Sequence, residues 1–378
     1  MRCHFRTTDG TPRAARGKRV SRGAVLDARV DGGYVWPMSR PNDPTSPLAI
    51  VRSLPRAWDD LPIWAQLNIT WKCNLDCVYC TEYDNTKGHV PYEDLVRRID
   101  KCKELGTLHT DLIGGEPMLH PDLNRLMAYV TSLGMTTGMT TNGFLLTEDR
   151  LKALMDSGMG RIQISLDALN PTPGTPKSLK TLRKKIEMVA KHPIWFRVNT
   201  VICEQTIDEV QQVAEFCMDL GVPVNFSVVH DRGRLKPSLH NPRYLERVQW
   251  LKEQKLLGKP ISTYYFLIEY YEQALRGRPM DWTCQAGSKC FYVAPGGEFH
   301  FCYHVPPQMS FEDVTRETLS KNRGKKGCEE NCGVDCVLST SLPYSNLGQV
   351  AGIEARDMLL QIRAQVKEKI APGQPQSA

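Results

Sequence analysis

Three cysteines lie close together in the chain, at a spacing that suits metal binding. Residues 71–80 read WKCNLDCVYC, so Cys73, Cys77 and Cys80 follow a predicted strand in a CxxxCxxC pattern. Cysteine thiolates hold iron–sulfur clusters, and a cubane normally takes four such ligands. A loop that supplies three leaves one iron open, as a catalytic metal site requires. A zinc site and three unrelated buried cysteines are the alternatives.

Other polar groups stand at the ends of later predicted strands. The second strand ends in Gly114-Gly115-Glu116-Pro117, a turn with a single acid between glycines and a proline. The next two strands are followed or closed by side chains that could also face a ligand. These are Asn142 and Asp167.

Strands and helices alternate over the segment that carries these residues. Strands are predicted at 63–70, 110–113, 135–141, 161–166, 196–202 and 224–229. Helices are predicted between them at 92–105, 122–133, 148–157, 178–191 and 207–220. Six βα units in a row predict an α/β fold with a parallel sheet and right-handed crossovers. The count favours a partial (β/α)6 TIM-like barrel, whose functional residues lie at the carboxyl ends of its strands.

The cysteine triplet with Tyr79 before its last member, followed by the Gly-Gly-Glu-Pro turn, resembles the radical S-adenosylmethionine (radical SAM) superfamily over residues 63–235. The resemblance implies that Cys73, Cys77 and Cys80 hold a [4Fe–4S] cluster. It also implies that SAM chelates the open iron and is cleaved reductively to a 5′-deoxyadenosyl radical. This radical would then abstract hydrogen from a substrate.

The same resemblance gives roles to the other residues. Gly114 and Gly115 let the backbone approach the ligand, Glu116 accepts a hydrogen bond from the methionine ammonium of SAM, and Pro117 fixes the exit of the turn. Tyr79 lies near the adenine. Three residues match positions used around the ribose and methionine: Asn142, Ser165 and Asp167. Asn199, on the fifth strand, is a weaker candidate, which matches a polar position that some members point into the barrel. No residue after the fourth strand clearly matches the family's carboxylate-binding arginine, although this stretch contains Lys177, Lys180 and Arg183.

Six more cysteines lie in the C-terminal part of the chain: Cys284, Cys290, Cys302, Cys328, Cys332 and Cys336. The first three, with the glycines between them, resemble the SPASM/twitch extension of radical SAM enzymes, which carries auxiliary iron–sulfur clusters. Two fully ligated cubanes need eight cysteines. We therefore expect one auxiliary cluster held by Cys284, Cys302 and two of the later triplet. Two clusters, one with an open iron, and a zinc site are alternatives.

The remaining cysteines and histidines carry less information. Cys3, Cys102, Cys203 and Cys217 have no partner pattern, and we interpret them as small apolar residues. His300 and His304 flank Cys302, where histidines are more often outer groups than ligands.

The composition is that of a globular protein and excludes a mostly disordered chain, a collagen-like fibre and a coiled coil. The chain has 378 residues, 13 cysteines and a net charge of +6, with an ordinary hydrophobic fraction of 41%. No apolar run is long enough to span a membrane, and no secretory signal follows the basic N-terminus. These features predict a cytoplasmic protein. The charge is too small to indicate nucleic acid by itself.

We divide the chain into five parts. Residues 1–50 are a basic segment expected to be disordered, and 63–235 form the core. A helical connector at 236–281 leads to a loop-rich auxiliary-cluster region at 282–340 and a C-terminal helix and tail at 341–378, with the helix itself at about 353–369.

The function predicted from sequence is therefore radical SAM catalysis on a peptide or small molecule. The electron donor is expected to be a flavodoxin or ferredoxin, because such partners are commonly acidic and this chain is basic. The alternative is an iron–sulfur protein that only transfers electrons, which would need neither the Gly-Gly-Glu-Pro turn nor SAM.

Overall fold

The computed structural model describes residues 29–30, 33–34, 59, 61–278 and 280–345, with five isolated positions between 348 and 359. Within the N-terminal segment 1–50, the described part is an antiparallel ladder of Arg29–Val30 with Gly33–Tyr34. The rest of that segment lies outside the described residues. The same holds for Cys3, for the tail, and for all but three positions of the helix predicted at 353–369.

Six parallel strands form the core, and their order in the sheet is their order in the chain. They are β1 (Trp64–Asn68), β2 (His109–Ile113), β3 (Thr136–Thr141), β4 (Arg161–Ser165), β5 (Trp195–Ile202) and β6 (Val224–Val228). The helices between them are α1 (Tyr92–Leu105), α2 (Leu123–Ser132), α3 (Glu148–Asp156), α4 (Leu179–Ala190) and α5 (Val210–Asp219). The predicted α/β fold with a partial barrel is confirmed.

Helix α1 shows how the sequence produces this arrangement. Its Leu95, Ile99 and Cys102 lie on one face and are fully buried, which is the spacing of an amphipathic helix against a sheet. Gly106 ends the helix in the left-handed conformation, with a φ of 85°. Glycine adopts this conformation without the steric penalty that a Cβ brings.

The amino end of the barrel is filled by a buried ion pair. Asp111 of β2 accepts hydrogen bonds from the Arg161 guanidinium of β4, and Trp64 of β1 donates to the same carboxylate at 2.9 Å. Burial raises the pKa of Asp111, but Arg161 and His109 outweigh this effect and hold the pKa below its ordinary value. The pair lies near the amino ends of the strands, at the opposite end from the strand termini that carry the predicted site residues.

Two helices lie within residues 236–281, the segment predicted as a helical connector. They are α6 (Pro242–Leu256) and α7 (Tyr265–Leu275), preceded by a short hairpin of His230–Asp231 with Arg234–Leu235. The aromatic residues of α7 include Phe266, Tyr270 and Tyr271, all of which are buried. They belong to the hydrophobic core. No helix within the described ranges is long and apolar enough to cross a membrane.

The cysteine-rich region continues the barrel sheet. Strand β7 (Cys290–Val293) pairs in parallel with β1, and β8 (Glu298–His300) and β9 (Met309–Ser310) follow antiparallel. Helices α8 (Arg316–Lys321) and α9 (Asp335–Ser345) complete the region. The nine strands run β9-β8-β7-β1-β2-β3-β4-β5-β6.

Helix α9 was not expected from the sequence, which predicted loops up to residue 340. Its residues read DCVLSTSLPYS, in which Ser, Thr, Cys and an internal Pro343 are weak helix formers. Its Val337, Leu338 and Leu342 are buried in the core. Tertiary packing therefore overrides local propensity in this segment.

Candidate active site

The cysteine loop after β1 is fastened to the Gly-Gly-Glu-Pro turn after β2. The backbone N–H of Gly115 donates to the carbonyl of Thr70 at 3.0 Å, and that of Glu116 donates to the carbonyl of Lys72 at 2.8 Å. A Cβ on Gly115 would lie 2.6 Å from the carbonyl carbon of Lys72, and one on Gly114 would lie 2.7 Å from the Thr70 oxygen. Only glycine permits this approach, which places the loop directly against the turn.

The carboxylate of Glu116 connects the same turn to the end of β3. One oxygen accepts from the backbone N–H of Met118 at 3.0 Å and from the Thr141 hydroxyl at 2.7 Å, and the other accepts from the N–H of Asn142 at 2.8 Å. Burial raises the pKa of Glu116, and these donors oppose the increase. A carboxylate offers about four acceptor positions, so one remains for a ligand. Pro117 begins the buried turn Pro117–Leu119 that follows.

The amide of Asn142 reaches back to the cysteine loop. Its Nδ2 donates to Asn74 Oδ1 at 2.7 Å and lies 3.9 Å from Cys73 Sγ, while its Oδ1 accepts from the N–H of Phe144 at 3.0 Å. The N–H of Leu75 also points at Cys73 Sγ, at 3.4 Å. Hydrogen bonds of this kind favour the thiolate form, which is the form that binds metal.

Tyr79 and Asp167 meet at the opposite side of the loop. The Tyr79 hydroxyl donates to the Asp167 carboxylate, which also accepts from Thr175 at 2.8 Å. Lys177 forms an ion pair with Asp167 at 3.1 Å, and its ammonium lies 4.8 Å from the centre of the Tyr79 ring. Desolvation lowers the pKa of Lys177, but Asp167, Tyr79 and Cys77 outweigh it and raise the pKa overall. A buried cation therefore stands beside the three cysteines.

Lys177 is the residue that sequence reasoning left unassigned. The backbone N–H of Asp167 donates to the carbonyl of Lys177 at 2.9 Å, and the N–H of Val78 donates to that of Gly174 at 3.1 Å. These bonds fold the 174–177 loop back onto the cysteine loop. No local pattern identified this return, because it depends on contacts between segments almost one hundred residues apart in the chain.

The remaining predicted residues lie on the fourth and fifth strands. Ser165 ends β4, is half-buried and lies opposite Asn199 in the register of β5. Asn199 accepts hydrogen bonds from Asn225 at 2.7 Å and Ser227 at 3.1 Å. Ser165 and Asn199 are therefore neighbours across adjacent strands, and Asn199 belongs to a polar network with Asn225 and Ser227.

Four of the six C-terminal cysteines surround a cavity of about 200 Å³. They are Cys284, Cys302, Cys328 and Cys332, with His304 also in the wall. Burial raises the pKa of the Cys284 thiol to about 12, and Lys326 opposes this increase. Four thiols around one space fit a cubane cluster.

Cys290 and Cys336 lie on another side of the same region. With Cys302 they line a smaller gap that also contains Trp64 and Gln66 of β1.

Within the part of the chain that the structure describes, no three Cys, His, Asp or Glu side chains form a single-ion site. Of the other cysteines that the structure describes, Cys102, Cys203 and Cys217 are buried in the protein interior, as predicted.

Comparison with known proteins identifies the core. Residues 67–228 match the model of the radical SAM superfamily. The chain contains a radical SAM domain. The chain is also 24% identical over 300 residues to the AdoMet-dependent heme synthase of Methanosarcina barkeri (strain Fusaro), covering 70% of this chain and 86% of that protein. These similarities show that the protein is an enzyme.

Solved structures of SuiB and anSMEcpe show the same fold. Streptococcus suis SuiB bound to its precursor peptide SuiA has a TM-score of 0.56 at 16% identity, with 84% of this chain and 79% of that chain covered. The protein anSMEcpe with bound AdoMet has a TM-score of 0.55 at 18% identity, with coverages of 81% and 98%. The match to both over most of this chain shows that the fold extends beyond the radical SAM domain.

Proposed function

We propose that the protein is a radical SAM enzyme that holds a [4Fe–4S] cluster through Cys73, Cys77 and Cys80. When bound, such a cluster with SAM on its open iron supplies a 5′-deoxyadenosyl radical that abstracts hydrogen from a substrate. The observation that carries the proposal is that backbone hydrogen bonds hold the three-cysteine loop against the glycine turn. Gly115 donates to Thr70, and Glu116 donates to Lys72. A simple electron carrier has no need for this second element.

The residues around the loop would bind and orient SAM. Glu116 has one acceptor position left, which suits an ammonium group. Lys177 offers a cation for a carboxylate, and Asp167 and Asn142 are fixed by hydrogen bonds at neighbouring strand ends. Tyr79 lies on the same side of the site, where its hydroxyl donates a hydrogen bond to Asp167. Because these groups are already held by the fold, SAM would meet a preorganised site.

We also propose one auxiliary [4Fe–4S] cluster, ligated by Cys284, Cys302, Cys328 and Cys332. Support comes from the cavity of about 200 Å³ that these four side chains line. Metal binding requires deprotonated thiols, and Lys326 lowers the cost of deprotonating Cys284. Cys290 and Cys336 were candidate ligands from sequence, and in this proposal they stay thiols.

The substrate would enter the barrel lumen, whose wall is polar. Half-buried Gln163, Ser165, Asn199 and Ser227 lie on three neighbouring strands, and in this proposal they face the lumen. Amide and hydroxyl groups of this kind suit a peptide or another hydrogen-bonding small molecule. SuiB was solved with a precursor peptide, which supports the peptide alternative. A flavodoxin or ferredoxin remains our proposed electron donor.

The test is SAM cleavage by the reconstituted protein under anaerobic conditions with dithionite. The wild-type protein should release 5′-deoxyadenosine, and Cys77→Ala should release none because two thiolates remain for the first cluster. Cys203→Ala removes a thiol buried outside both cysteine groups and is the matched control, with activity near wild type. Equal yields from wild type and Cys77→Ala would contradict the proposal, and no cleavage by a protein that retains its clusters would favour the electron carrier.

A further inference from the structure

Val78 is an apolar side chain that the cysteine loop leaves exposed. It stands between Cys77 and Cys80 and is 68% exposed. Among the large apolar side chains of the described residues, it has the greatest exposed fraction. Protein interfaces commonly have an apolar centre inside a polar rim. An exposed apolar residue between two proposed cluster ligands therefore suits the centre of a protein contact.

A tight turn after the fourth core strand packs against Val78. The backbone N–H of Val78 donates to the carbonyl of Gly174 at 3.1 Å, and a Cβ on Gly174 would lie 3.2 Å from Val78 Cγ2. Backbone hydrogen bonds between Thr172 and Thr175, at 2.9 and 3.2 Å, close this turn. Pro173, within the turn, is exposed. Val78 and Pro173 therefore present apolar surface on two segments that are in contact.

The helix that follows the turn is strongly basic. Residues 170–186 contain five basic side chains and no acidic one. Within α4, Lys180, Arg183 and Lys184 are exposed. Arg183 pairs with Glu187 at 3.9 Å, whereas Lys180 and Lys184 are in no ion pair with any residue that the structure describes. The ammonium groups of these two lysines are available to a partner.

Contacts hold the basic end of α4 beside the candidate site. Lys185 donates to the carbonyl oxygen of Gly143 at 3.0 Å. Gly143 directly follows Asn142, whose amide donates to Asn74 of the cysteine loop at 2.7 Å. The turn at 172–175, which precedes α4, contacts the same loop. The first turns of α4 are thus connected to the cysteine loop through two separate segments.

We propose that Val78, Pro173, Lys180 and Lys184 form a docking face for an acidic flavodoxin, the electron donor of the enzyme. The exposed edge of a flavin ring is apolar and suits Val78 and Pro173, while acidic groups around it would meet the two lysines. The docked flavodoxin would give up one electron for each SAM molecule whose carbon–sulfur bond is cleaved. The inference rests on the proposed function, since it needs a cluster that accepts this electron.

Two other surfaces fit such a partner less well. In the cysteine loop itself, Lys72 and Asp76 are both exposed, and their charges cancel. The stretch 321–327 is also basic. Two of its lysines already pair with acids at 2.6 Å: Lys321 with Glu317, and Lys325 with Asp281. That stretch therefore serves as the rival surface in the test.

The test is the binding of an oxidised acidic flavodoxin to the full-length reconstituted protein, measured by isothermal titration calorimetry at low ionic strength. Lys180→Gln/Lys184→Gln should raise the dissociation constant by about tenfold, because charges at the rim of an interface act mainly on association. Added salt should weaken the wild-type complex and have less effect on this variant. Lys321→Gln/Lys325→Gln is the matched control, which removes two charges from the rival surface and should bind like the wild type.

SAM cleavage gives a second readout that separates docking from chemistry. Dithionite needs no docking face, so with dithionite Lys180→Gln/Lys184→Gln should release 5′-deoxyadenosine at the wild-type rate. With reduced flavodoxin, the same variant should need a higher donor concentration to reach half of its maximal rate, and the maximal rate should change little.

Three results would overturn the inference. They are wild-type affinity in Lys180→Gln/Lys184→Gln, equal weakening in both double variants, and binding of an acidic ferredoxin where flavodoxin does not bind. Equal weakening would indicate a general attraction to positive charge. In each case, dithionite-driven cleavage by the wild type and not by Cys77→Ala would leave the proposed function standing. Absence of that cleavage in the wild type would contradict the proposed function instead, whatever the binding result.

Discussion

The backbone N–H of Glu116 donates a 2.8 Å hydrogen bond to the carbonyl oxygen of Lys72, the residue before the first cysteine of the loop. This bond joins the turn after the second core strand to the loop after the first. It means that the position of Cys73 is set by the neighbouring strand as well as by its own. The glycine between the two elements, Gly115, is what allows them to come this close.

We expect Gly115→Ala to prevent assembly of the first cluster while leaving the fold intact. The added Cβ would lie 2.6 Å from the Lys72 carbonyl carbon and 3.0 Å from Cys73 N, so the loop backbone must move. Iron content should fall by about four atoms per chain, one cubane. Gly88→Ala is the control, since nothing lies within 4 Å of its Cβ position. Full iron content in Gly115→Ala would show that the loop tolerates the shift.

The buried pair of Asp111 and Arg161 should contribute strongly to stability. Asp111→Asn leaves the Arg161 charge without its partner in the barrel interior, and breaking a buried pair in this way costs about 3–5 kcal/mol. The check is the free energy of unfolding from urea denaturation, compared with Asp94→Asn. That second change breaks an exposed pair with Arg97 and should cost about 1 kcal/mol or less. An equal loss of unfolding free energy in the two variants would contradict the claim that the Asp111–Arg161 pair contributes strongly to stability.

The C-terminal cysteines should separate into two groups when replaced by alanine. Cys328→Ala and Cys332→Ala remove thiols from the cavity wall, so the auxiliary signal should be lost or altered. Cys290→Ala and Cys336→Ala should retain iron and sulfide at the wild-type level, because these side chains line a different gap. Chemical analysis measures the iron and sulfide content of each variant, and paramagnetic resonance measures its auxiliary signal. Loss of the auxiliary cluster in Cys336→Ala would mean that the ligand set is different.

Much of the core could be predicted from sequence because its signals are local. Each βα unit carries its own strand and amphipathic helix, and α1 was predicted with the bounds that the structure shows, Tyr92–Leu105. The order of these units then places the cysteine loop, the glycine turn, Asn142 and Asp167 at the same end of the barrel. Chain order alone determines that result once the sheet is parallel.

What sequence could not provide depends on long-range contacts. Lys177 is one of several basic residues after β4, and only its return onto Asp167 distinguishes it from Lys180 and Arg183. The same limit applies to the auxiliary cysteines, whose spacing does not tell which four share a cavity. Helix α9 was not predicted because its stability comes from Val337 and Leu338 packing against the core.

The most direct test of the account is whether SAM binds to the iron that the three cysteines leave open. The anaerobically reduced protein should show a [4Fe–4S] signal by paramagnetic resonance that changes shape when SAM is added, and Cys80→Ala should lose that response. The auxiliary signal should stay the same in both samples. A fully loaded protein whose spectrum is identical with and without SAM would contradict the central claim.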